Sequence, residues 1–96
     1  MKILALEKEL KYASASEFKK YSQAEAKSLW QLYKKGIVRE FYFRQENNQA
    51  VLILEVKNKA QAKSTLNKLP FVNNKLISFE LIPLKPYPGF ERLFKE

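Results

Sequence analysis

Hydrophobic and polar positions alternate along this chain with two different periods. Residues 2 to 9, Lys-Ile-Leu-Ala-Leu-Glu-Lys-Glu, begin as an apolar run and turn polar, which predicts a short strand. Ser14-Ala15-Ser16 followed by Glu17 is a cluster suited to capping a helix. From about Ser16 to Lys35 the residues Phe18, Tyr21, Ala24, Ala26, Leu29, Trp30, Leu32 and Tyr33 recur largely at three- and four-residue spacing, with lysines between them. That spacing predicts a long helix, and Gly36 follows as its C-terminal cap. Ile37 to Glu46 is rich in β-branched and aromatic residues, Asn47-Asn48 supplies a turn, and Ala50 to Lys57 continues through Val-Leu-Ile-Leu-Glu-Val, a β-hairpin pattern. Lys59 to Leu69 carries Ala60, Ala62, Leu66 and Leu69 at helical intervals and stops at Pro70, after which Leu76 to Leu84 reads as a last strand.

The predicted order is therefore β-α-β-β-α-β, the split βαβ arrangement of a ferredoxin-like α+β fold. It places one four-stranded antiparallel sheet under two helices on a single face. Residues 1–85 form the core of one domain, and 86–96 form a C-terminal arm stiffened by Pro86 and Pro88. In the central hairpin strand Val51 and Ile53 point one way while Leu52, Leu54 and Val56 point the other, so both faces of the sheet are apolar. Two helices cover only one of them. The open face would be a large exposed patch on a monomer, and a second copy of the same face is the simplest cover for it. A homodimer is expected, in the form of a dimeric α+β barrel, and the arm aromatics Tyr87, Phe90 and Phe94 are expected to pack on the partner or to wall a pocket.

Composition narrows the chemistry. A chain of 96 residues has room for one small core, which gains from self-association. It has no cysteine and no histidine, which excludes disulfides, Cys/His zinc sites, His-ligated haem, a Ser-His-Asp triad and a cysteine nucleophile. No metal or cofactor is expected. No apolar run approaches the length of a membrane span, and the N-terminal run meets Glu7 too early for a secretory signal, so a cytoplasmic location is the default expectation. The net charge is +8, but the lysines are scattered singly or in pairs such as Lys19-Lys20 and Lys34-Lys35, the pattern of a solvated surface.

Strand alternation suggests which side chains share the open face. On the second strand Ile37, Phe41 and Phe43 are assigned to the helices, leaving Glu40, Tyr42 and Arg44 on the open side. Glu7 is assigned to the open side with Ile3 and Ala5, Glu55 with Val51 and Ile53, and Ser78 with Glu80 on the last strand. A carboxylate on an apolar surface has its pKa raised toward neutrality and serves as general acid or base, while Tyr or Arg stabilises a developing enolate oxygen. The catalytic candidates are accordingly Glu55, Glu80, Tyr42 and Arg44, with Glu7, Glu40, Trp30 and Ser78 as ligand contacts. The plainer reading pairs Glu55 and Glu80 with Arg39, Arg44 or lysines across the sheet or interface, and places Trp30 in the core or an interface.

Three segments resemble a known family: Arg39-Glu40-Phe41-Tyr42-Phe43-Arg44 with Val51-Leu52-Ile53-Leu54-Glu55, Thr65-Leu66-Asn67-Lys68-Leu69-Pro70 with Phe79-Glu80-Leu81-Ile82-Pro83-Leu84, and Pro86-Tyr87-Pro88-Gly89-Phe90. They look like the muconolactone isomerase family and its small relatives. The resemblance implies an intertwined dimer or larger ring, and a proton shift across a lactone ring without metal or cofactor. Where that family carries His and Trp around the second strand, this chain has Glu40 and Tyr42. The resulting expectation is a cofactor-independent isomerase or small-molecule binder for a lactone or small aromatic-derived ligand. The alternatives are a structural or regulatory dimerisation module, and an RNA-binding module. The last is disfavoured because the third strand, Val51 to Val56, has no exposed aromatics for stacking bases.

Overall fold

Ser14 takes an extended backbone conformation, and its hydroxyl accepts the Glu17 N–H, which starts a helix at Ala15. At the far end Gly36 has φ of +74°, a left-handed conformation that favours glycine. The Ile37 N–H bonds the Leu32 carbonyl and the Gly36 N–H bonds the Tyr33 carbonyl, closing the helix with a Schellman motif. The computed structural model describes residues 1–10 and 13–95. It runs β1 (Lys2–Glu9), α1 (Ala15–Lys34), β2 (Val38–Phe43), β3 (Ala50–Glu55), α2 (Lys59–Leu66), a short α3 (Pro70–Asn73) and β4 (Ile77–Leu84), with a final 3-10 turn over Gly89–Phe94.

Two boundaries differ from the sequence reading. The second helix ends at Leu66, because Pro70 pushes Leu69 into an extended conformation and then occupies the first position of α3. Proline here begins a helix as well as ending one. The second strand ends at Phe43, because Arg44 and Asn48 already bond across the hairpin loop, where Asn48 has φ of 57°.

The sheet has four strands in the order β2-β3-β1-β4, all antiparallel neighbours. Ile3 faces Leu54 and Ala5 faces Leu52 across β1 and β3, and all four are buried beneath the helices with Leu66 and Leu69. A bulge between Val38 and Glu40 turns Val38 toward the helices opposite Leu54, after which Phe41 and Phe43 follow on the same side. The other face carries Leu4 and Leu6 on β1, Val51 and Ile53 on β3, and Ile82 on β4, half-buried with no helix over them.

One face assignment is overturned. Ile3, Ala5 and Glu7 point to the helices, and Leu4 and Leu6 to the open side. Both sets are apolar, so apolarity does not choose between them. Residue size does, since Ala5 lets the helix layer approach the sheet closely while the leucines fill the open face. The C-terminal arm extends from the body, giving a long axis of 61 Å against 29 and 20 Å for the other two. Its Phe94 is 84% exposed, and Tyr87, Phe90 and Leu93 are nearly as open to solvent.

Candidate functional site

The inward stripe of α1 is Phe18, Glu25, Leu29 and Leu32, spaced as one helical face. Glu25 interrupts an otherwise apolar row. It is 6% exposed, and its Oε1 accepts the Phe71 N–H at 3.0 Å, joining α1 to the start of α3. An edge-to-face contact between Phe18 and Phe71, 5.1 Å between ring centres, packs beside that bond. Glu7 stands opposite Phe79 on the same side of the sheet, and its Oε1 accepts the Ala50 N–H at 2.9 Å where β3 begins. Each carboxyl thus has one oxygen fixed by a backbone donor, and its second oxygen, with no hydrogen bond among the described residues, is open to solvent.

Both carboxyls line a single cleft of about 230 Å³ between α1 and the sheet, walled by Leu29, Leu52, Phe43 and Phe79. That is more than the ~150 Å³ that suffices for a benzene ring. One flank of the cleft is aromatic. Trp30 and Tyr33 stack at 5.6 Å and Tyr33 meets Phe41 at 5.9 Å, forming an apolar notch with Ala26 and Leu29 beside the cleft. Trp30 is 56% exposed and Phe43 70%, so these rings are surface features of the chain, not core.

Burial pushes the Glu25 carboxyl above its ordinary pKa; the Phe71 N–H opposes this and the charge of Glu7 adds to it. Glu7 is also raised, by burial first, against the Ala50 N–H and with a contribution from Glu9. No lysine or arginine lines the cleft among the described residues. Both shifts run toward the neutral form, and the charge of Glu7 opposes ionisation of Glu25. A carboxyl in its neutral form can donate a hydrogen bond or a proton, and an ionised one can accept a proton from carbon. Among the described residues no group of three or more potential metal-ligating side chains is gathered.

The sequence-predicted residues occupy other places. Tyr42, Val51, Leu6 and Glu80 form one row across the open face, so Tyr42 and Glu80 lie three strand spacings apart, about 14 Å. Tyr42 donates to Glu40 Oε1 at 2.7 Å in an exposed pair, and this bond raises the tyrosine pKa. Glu55, opposite Lys2, meets the Met1 ammonium group at 2.9 Å, which holds its pKa down. Arg44 sits in the hairpin loop, and Ser78 lies opposite Lys8. Within one chain these groups do not converge on one pocket. Glu7 lines the cleft, Trp30 and Tyr42 sit in notches that share Leu29 with it, and Glu25 is the residue that the sequence reading missed. Its signal was available: a charged residue in register with Phe18, Leu29 and Leu32.

The strand order with both longer helices on one face defines a ferredoxin-like α+β fold. Among solved structures, the chain is similar to muconolactone isomerase, with a TM-score of 0.73 at 14% identity over 93% of both chains. It is similar as well to the 5-chloro-2-hydroxyhydroquinone dehydrochlorinase of Burkholderia phenoliruptrix AC1100 in complex with 2,5-dihydroxybenzoquinone, at 0.70 and 16% identity over 93% of this chain and 98% of that one. At such identities the likeness is one of fold. No protein-family model and no curated protein matches the sequence.

Proposed function

We propose that this chain is a cofactor-independent acid–base enzyme of the isomerase kind, moving a proton on a small ring compound bound in the cleft between α1 and the sheet. The observation that carries this reading is the pair of carboxyls, Glu7 and Glu25, raised in pKa and each held by one backbone N–H inside an apolar, ring-sized cleft. The ligands of the two similar structures support the size class: a lactone is the substrate that the name of one implies, and a dihydroxybenzoquinone is bound to the other. In this mechanism the ionised carboxylate removes a proton from a carbon beside a carbonyl, and the protonated partner hydrogen-bonds the oxygen on which charge develops.

The same reading includes a homodimer. Leu4, Leu6, Val51, Ile53 and Ile82 form an apolar sheet face that no element covers among the described residues, and the arm presents Tyr87, Phe90 and Phe94 to solvent. A second copy packed on that face buries both, with Tyr42, Arg44, Glu55 and Glu80 at the rim as paired charges and hydrogen bonds. RNA binding is disfavoured, since the two central strands present Leu4, Leu6, Val51 and Ile53 there and no aromatic ring.

Deuterium uptake at ring carbons, followed by proton NMR in heavy water with lactones and 2,5-dihydroxybenzoquinone, tests the enzymatic reading. Protein-dependent exchange that disappears in Glu25→Gln is the expected result. Exchange equal to buffer for every compound would leave a binding or assembly role.

A further inference from the structure

On the opposite flank of the molecule a larger groove, about 480 Å³, runs between α2 and the outer strand β4. Lys59 and Lys63 project into it from successive turns of α2, and Lys8 reaches it from β1 beside Ser78. None of the three lysines is in an ion pair among the described residues; Glu80, also on the groove, is not within bonding distance of them. The floor is apolar, built from Leu66, Val72, Phe79 and Leu81. Asn67 adds a neutral hydrogen-bonding group.

Ammonium groups kept only as solvated surface have no need of a concave apolar floor beneath them. Here the two features coincide, and together they match one kind of molecule: a ring or short hydrocarbon that lies on Phe79 and Leu81 and carries an anionic group toward Lys59 and Lys63. Phe79 gives the groove a further significance, because the same side chain also lines the cleft holding Glu7 and Glu25. A ligand resting on Phe79 from the lysine side touches the wall of the acidic cleft. The charges of the two sites are opposite, so one molecule does not suit both.

We infer that the α2–β4 groove is a second, separate binding site for an amphipathic organic anion, with Lys59 and Lys63 holding a carboxylate or phosphate and Phe79 supporting its apolar part. The site follows from its own residues and does not depend on the acid–base reading of the cleft.

The test is a titration of the isotope-labelled full chain with benzoate, phenyl phosphate, benzyl alcohol and inorganic phosphate, read by amide shifts. Benzoate or phenyl phosphate should shift Asn67, Ser78 and Leu81, and the tighter of the two identifies the preferred head group. Benzyl alcohol and inorganic phosphate, each lacking one half of the chemistry, should bind at least several-fold more weakly. Lys59→Gln with Lys63→Gln, both on the exposed side of α2, should weaken the anion roughly tenfold and leave the spectrum of the free protein unchanged elsewhere. The inference is overturned if benzyl alcohol binds as well as benzoate, if the shifts map to Ala26 and Leu29 instead, or if the double variant binds with unchanged affinity.

Discussion

Neighbouring residues of β3 live in two different environments. Leu52 and Leu54 are buried under the helices, whereas Val51 and Ile53, one residue away in each case, lie half-buried on a face with nothing above it. The acidic residues divide the same way. Under the helices, Glu7 and Glu25 are pushed toward the neutral form by loss of water, while on the open face Glu55 is held ionised by the Met1 ammonium group. One side of the sheet therefore builds a low-dielectric cleft out of a single chain. The other leaves an apolar surface that no described element covers, and its charged groups are ordinary surface charges of the single chain.

The largest effect should separate the two faces by stability. Leu54 is fully buried, so Leu54→Ala should cost about 2–5 kcal/mol in urea unfolding, by lost transfer energy and the cavity it leaves. The same loss is expected at every protein concentration. Ile53→Lys, on the opposite side of the same strand, should leave the far-ultraviolet circular dichroism unchanged and convert the protein to monomers in sedimentation. A variant that remains dimeric would show that the copies meet somewhere other than the open face. One that unfolds would show that the two faces are not independent.

Next in size is the acid pair. A carboxyl whose folded pKa is raised above its unfolded value contributes stability that is fully present below the unfolded value and is lost as pH rises through the folded one. Glu25 and Glu7 are both of this kind, with unfolded values near 4.5. Glu25→Gln retains a carbonyl oxygen for the Phe71 N–H and removes the ionisation. It should therefore melt at a higher temperature than the parent at pH 8, and the difference should shrink toward zero by pH 4. Activity should move the other way, with the variant inactive in ring-proton exchange at all pH values. A variant less stable than the parent at pH 8 would mean that the charge at Glu25 is favoured in the fold, against the direction that burial gives it.

Much of the architecture is legible in the amino-acid sequence itself. The bounds Lys2–Glu9 for β1, the start of α2 at Lys59 and the end of β4 at Leu84 follow from period, caps and proline. The open apolar face followed from Val51 and Ile53. Two things were illegible for physical reasons. Alternation tells which residues share a face but not which face meets the helices when both sets are apolar, so Ile3, Ala5 and Glu7 were turned the wrong way. Glu25 was hidden by its type, because a glutamate on a lysine-rich helix is ordinarily solvated. Its place in the stripe of Phe18, Leu29 and Leu32 marked it, but only the Phe71 N–H shows what a buried carboxylate there is bonded to.

The smallest effect belongs to Glu55, and its sign is opposite to that of Glu25. Its folded pKa is depressed, chiefly by its bond to the Met1 ammonium group, so its contribution is present above the unfolded value near 4.5 and lost as pH falls through the folded one. The pair is well exposed to solvent, with both side chains about two-fifths accessible, and water and salt screen most of the attraction. Glu55→Gln should thus keep the fold, lower the melting temperature only slightly at pH 7 in low salt, and match the parent in 1 M salt or once the pH is low enough to protonate the carboxyl in the folded chain. Acetylating the N-terminus should remove the same ion pair together with the bond from the Met1 ammonium group to the Val56 carbonyl, and adding Glu55→Gln to the acetylated chain should change little further. If the combined change is additive, or if Glu55→Gln unfolds the chain, Glu55 holds something other than the N-terminus, and the open face is more tightly built in one chain than its half-buried leucines and isoleucines indicate.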